Sequence, residues 1–106
     1  MKKNETAKAK ILNDNSHKFC LHIYTKNHSV MGYFTGFYTH QGDKYVGAVE
    51  DINDDKVKFF TVEHTNDKAE KLHNDFFSRG DIITICDYYN RKVSSYDGIT
   101  WWNHKE

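Results

Sequence analysis

The sequence predicts a mainly β domain: a small antiparallel barrel with a helix set between two of its strands. Three observations predict it. Short runs of aromatic and β-branched residues alternate with polar ones and are separated by turn residues, the pattern of half-buried strands. Strong helical spacing appears in one stretch, residues 66–77. The chain has 106 residues and no proline, enough for one domain with a single modest core.

Residues 1–17 are polar, with helix formers at Ala7, Lys8, Ala9 and Lys10 ahead of Ile11 and Leu12. They form either a short helix leaning on the barrel or a frayed basic arm, and the barrel domain is expected over residues 18–106. In residues 18–25, Phe19, Leu21 and Ile23 face one way and Cys20, His22 and Tyr24 the other. Lys26, Asn27 and His28 make a turn. A second strand over residues 30–39 contains Gly32 and Gly36, and a glycine inside a strand marks a bulge or sharp bend, as barrel closure needs. A polar hairpin loop around Gly42 leads to a third strand over residues 45–52, and Asn53, Asp54, Asp55 and Lys56 form a tight acidic turn.

Val57 opens the next strand, strongest over residues 59–63. Asn66 or Asp67 can then cap a helix by accepting a free N–H. Ala69, Leu72, His73, Phe76 and Phe77 supply its apolar stripe, and Arg79 and Gly80 its exit. Strands at residues 81–89 and 99–103 flank a loop over residues 90–98 that carries Arg91, Lys92 and Tyr96. A helix bridging two strands of an otherwise β chain is what an OB-fold barrel places before its fourth strand, while the order of strands alone leaves an Sm- or SH3-like barrel open.

The order of these residues resembles the bacterial single-stranded-DNA-binding protein family. A strand is followed by Lys68-Ala69-Glu70, the bulky pair Phe76-Phe77, then Arg79-Gly80 and the strand from Ile82 to Cys86. The similarity extends loosely from Phe19 to Trp102. It implies an OB-fold that binds single-stranded DNA, with Phe59 at the position where the family stacks an aromatic ring on a base. Two features depart from the family: the chain ends in Trp-Trp-Asn-His-Lys-Glu without a flexible acidic-tipped tail, and its charges balance. Both favour a small accessory module of DNA replication or recombination, of phage or mobile-element type, over a general coating protein.

Composition narrows the function classes. Seven Tyr, seven Phe and two Trp exceed what so small a core needs, which leaves rings for a surface. Fifteen basic residues meet fifteen acidic ones, which argues against binding of nucleic acid by bulk charge alone. No histidine pair has ligand spacing and no Cys-x-x-Cys occurs, so no metal or other cofactor is expected. No phosphate loop or nucleophile elbow is present, and the expectation is a non-enzymatic protein. Cys20 and Cys86 read as reduced, partly buried thiols. No apolar run approaches the roughly 20 residues that span a bilayer, and none follows Lys2 and Lys3 as a signal peptide, so a cytoplasmic protein is expected.

Proteins that hold single strands stack bases on aromatic faces and follow the backbone with Lys and Arg. With Ile83 and Ile85 inward, Tyr88 faces out. Phe59, Tyr88, Tyr96 and Trp102 are the candidate stacking rings, and Lys56, Lys58, Arg91 and Lys92 the candidate phosphate contacts. Trp101 and Trp102 should point to opposite faces, one buried and one exposed. The same rings would also serve a module that docks on a polymerase, helicase or nuclease without binding DNA strongly itself.

Overall fold

The computed structural model describes residues 19–26, 31–62 and 64–104; the arm expected over residues 1–17 lies outside them. Six strands form one antiparallel sheet: β1 (Phe19–Tyr24), β2 (Met31–His40), β3 (Asp43–Val49), β4 (Ile82–Asp87), β5 (Lys92–Tyr96) and β6 (Trp101–Asn103). Their spatial order is β3-β2-β1-β4-β5-β6. The helix α1 (Thr65–Phe76) comes between β3 and β4. The mainly β architecture with an interposed helix is the one the sequence predicts. Among the described residues no helix is long and apolar enough to cross a membrane.

Alternation gives the sheet two different faces. Leu21, Ile23, Phe34, Val46, Ile83 and Ile85 meet Ala69 and Leu72 of α1 in the main core. Burying each large aliphatic side chain there contributes about 1.5–3 kcal/mol before entropy is counted. On the opposite face a smaller cluster holds Cys20, Tyr33, Val57 and Cys86, with Val49, Ile52 and Phe59 packed against it. Cys20 and Cys86 are register partners across β1 and β4, both buried and outside any disulfide. Burial pushes the Cys86 thiol up to about 11, which keeps the reactive thiolate scarce.

The β2–β3 hairpin turns at Gln41 and Gly42, with φ of 53° and 84° and His40 paired to Asp43. Two positive φ values in a two-residue loop match the right-handed twist of the flanking strands, and glycine takes such a φ without steric cost. The register of β2 on β3 shifts between Phe34 and Gly36, the irregularity that the strand glycines foreshadow.

Three elements differ from expectation. Of the strand expected over residues 59–63, the described residues 59–62 do not run as one. Instead β1 pairs with β2 only from His22 to Tyr24, and the segment 57–60 fills the gap beyond. The Lys58 N–H donates to the Phe34 carbonyl (3.0 Å), and Phe60 and Phe19 exchange backbone bonds of 3.1 and 2.6 Å. Val57 and Phe59 thereby join one cluster while Phe60 packs on the other. The helix begins at Thr65, one or two residues before the expected caps. Its start is tied instead to Thr61, whose carbonyl accepts the Thr65 hydroxyl and whose Oγ1 accepts the His64 N–H at 3.3 Å. Finally, Lys92–Tyr96 is a strand where a loop was expected. It is held between β4 and β6, and its central serines are buried by tertiary pairing.

Candidate nucleic-acid interface

The sheet face that α1 leaves uncovered carries a concavity of about 430 Å³ across β2, β1, β4, β5 and β6. Alternation delivers its wall: His22 and Tyr24 from β1, Tyr33 from β2, Thr84 and Cys86 from β4, Ser95 from β5 and Trp102 from β6. Asn90, Lys92 and His104 complete the rim. Tyr24 and Trp102 at its edge remain about two-fifths exposed (41% and 38%).

The floor is a connected polar network. Thr84 Oγ1 and Ser95 Oγ lie 2.8 Å apart, and Ser95 Oγ is 2.7 Å from His104 Nε2. His104 is fixed by its backbone N–H, which donates to the Val93 carbonyl at 2.9 Å. The Tyr33 hydroxyl donates to Asn90 Oδ1 at 2.6 Å, and the His22 ring meets Tyr33 edge-on at 4.9 Å. Burial, and then the neighbouring Lys92 ammonium, hold His22 below its ordinary pKa. Burial and the nearby Cys86 raise that of Tyr33, partly offset by the bond to Asn90. At neutral pH His22 and Tyr33 are therefore uncharged hydrogen-bonding groups, set beside two partly exposed rings and the Lys92 cation. That combination can stack a planar ring and satisfy its polar edge, and Lys92 can meet an adjoining anion.

The expected site residues separate. Trp102 and Lys92 line the concavity. Tyr88 and Phe59 lie together at 6.1 Å, with Phe59 half-buried against the smaller cluster. Tyr88 also meets Tyr89 edge-on at 5.5 Å, and Arg91 lies 5.3 Å over Tyr89 while its Nε donates to Asp87 Oδ2 at 2.8 Å. Lys56 stays in the acidic turn, 3.8 Å from Asp54, and Lys58 runs beside Gly36; neither lines the concavity. Tyr96 lies apart from these groups. It is buried on the helix side, stacked on Trp101 at 4.9 Å and edge-on to His73 at 5.4 Å. Once residues 92–96 are a strand, the alternation that turns Ser95 toward the concavity turns Tyr96 away.

Sequence reasoning missed His22, Tyr24, Tyr33, Asn90, Ser95 and His104 as partners in one site. The signal for part of it was present, since His22 and Tyr24 fall on the strand face opposite Leu21 and Ile23. Also unforeseen is an exposed aromatic pair at the hairpin tip, Tyr38 stacked on Tyr45 at 5.5 Å with His40 beside it. Among the described residues no three His, Cys, Asp or Glu side chains converge to hold a metal. Comparison with family models, curated proteins and solved structures finds no match to this chain.

Proposed function

We propose that this domain binds single-stranded DNA without chemistry of its own, as an accessory to replication or recombination in the cytoplasm. The supporting observation is a concavity walled by hydrogen-bonding side chains and flanked by the partly exposed aromatic residues Tyr24 and Trp102. An unstacked base enters between the rings, its polar edge meets His22, His104 or Asn90, and Lys92 takes a neighbouring phosphate. Base stacking on an aromatic side chain is worth about 1–3 kcal/mol. The low cation count predicts modest affinity governed by rings more than by field.

Titration of a labelled oligothymidine of about 20 bases, repeated across salt concentrations, tests the reading; each phosphate contact adds about 0.7 to the log–log slope. Two to four contacts are expected, a slope of roughly 1.4–2.8, with duplex DNA bound much more weakly because its bases stay stacked. Trp102→Ala and Tyr24→Ala should each lower affinity by about 1–3 kcal/mol. No binding at low salt, or equal binding of duplex, contradicts it.

A further inference from the structure

A second cavity, of about 230 Å³, lies on the helix side of the sheet and shares no residue with the concavity described above. Its walls are Phe34 and Phe37 of β2, Phe60, and Leu72 and Phe76 of α1, with Leu21 at the floor. The Phe37 ring is 47% exposed at the mouth, stacked on Phe76 at 5.1 Å and edge-on to Phe34 at 5.3 Å. Three lysines stand at the rim. Lys71 is occupied, 3.2 Å from Asp75, the one acidic residue of the lining. Lys44 and Lys68 have no carboxylate partner among the described residues; their ammonium groups lie 4.4 Å over Phe37 and 6.0 Å over Phe60.

We propose that this cavity is a docking site for an acidic peptide segment of a partner protein, with one Phe or Leu side chain inserted and flanking carboxylates on Lys44 and Lys68. Charge complementarity selects the flanks: two unpaired cations border an apolar opening in a chain whose net charge is zero. The lining selects the inserted group. Away from the rim it offers only hydrocarbon, so a nucleobase would lose water from its polar edge and gain no hydrogen bond. A Phe or Leu side chain carries no such penalty. The volume suits one side chain, below the roughly 300 Å³ at which small-molecule pockets begin. Cations over aromatic faces are also already placed for carboxylates arriving beside an inserted ring.

The test uses fluorescence anisotropy with a labelled peptide, Asp-Glu-Asp-Phe-Asp-Glu-Asp, and the same peptide with Ala replacing Phe. Saturable binding is expected in the micromolar range, weakened about tenfold or more by loss of the Phe ring. The doubly substituted Lys44→Glu/Lys68→Glu variant should weaken it by a similar factor, about tenfold, because the flanking carboxylates then meet like charge. Both lysine side chains are on the surface, so circular dichroism and melting should match the parent. Excess oligothymidine should leave the peptide bound. Failure to saturate, equal affinity for the Ala peptide, or full affinity in the double variant overturns the proposal. Competitive displacement by oligothymidine also overturns it and assigns the cavity to nucleic acid. Loss of DNA binding with the peptide still bound removes the sheet-face reading alone; the reverse outcome removes this one alone.

Discussion

The His73 imidazole, buried on the inner side of α1, donates from Nε2 to the Asp81 backbone carbonyl at 2.7 Å and so ties the helix to the start of β4. Its ring also rests on Gly98, in the turn before β6. A Cβ there would come within 2.6 Å of His73 Cε1, and the Gly98 φ of +100° disfavours any L side chain. Gly98→Ala should therefore destabilise by both strain and collision. A loss of about 1 kcal/mol lowers the melting temperature of a domain this size by roughly 4–8 °C. An unchanged melting temperature would separate the turn from the helix and contradict this packing.

Leu72 and Phe76 share the helix stripe and should differ in what they contribute. Leu72 is 3% exposed in the main core, whereas Phe76 ends the helix half-buried at the cavity mouth, against the full burial its spacing suggests. Leu72→Ala should cost about 2–5 kcal/mol, enough to leave so small a domain barely folded. Phe76→Ala should cost less, because part of its ring already meets water. Urea melts of the two variants decide it: the larger loss is expected for Leu72, and the reverse order would misplace the helix on the sheet.

Acid should weaken the fold through His22. Burial, then Lys92, hold its pKa below the ordinary 6.5, so the folded chain binds fewer protons at this ring than the unfolded chain. That contribution to stability is complete above the unfolded value and is lost as pH falls through the folded one. Melting temperature should decline on acidification below about pH 6.5, and His22→Gln should flatten the decline. Equal slopes for parent and variant would put the acid sensitivity elsewhere.

Residues whose surroundings are local were legible in the sequence. The apolar stripe Ala69-Leu72-His73 places the helix, although it ends at Phe76 with Phe77 as its C-cap, short of the exit expected at Arg79 and Gly80, and alternation sorts β1 correctly, residue by residue. The hairpin at Gly42 follows from turn chemistry alone. What escaped depends on partners distant in the chain. Ser94 and Ser95 are polar, so β5 reads as loop until β4 and β6 close over it; Thr84 and His104 then satisfy Ser95. Phe59 and Phe60 have strand-forming side chains, yet a gap between β1 and β2 that no local pattern announces decides where they lie. The concavity draws on five strands and the segments that carry Asn90 and His104, and only Trp102 and Lys92 of the expected residues belong to it.

The two tryptophans provide the most direct test of the sheet-face reading. Trp101 is turned to the helix side, its Nε1–H donating to Glu70 Oε2 at 2.7 Å and its ring stacked on Tyr96. Trp102 lies on the other side, 38% exposed at the concavity. Intrinsic fluorescence during titration with oligothymidine reports on both rings, and replacing each by Phe isolates the other. Trp101→Phe should keep the quenching on DNA addition, and Trp102→Phe should abolish it. Quenching that survives Trp102→Phe, or no quenching in the parent at saturating DNA, would contradict base stacking on this face.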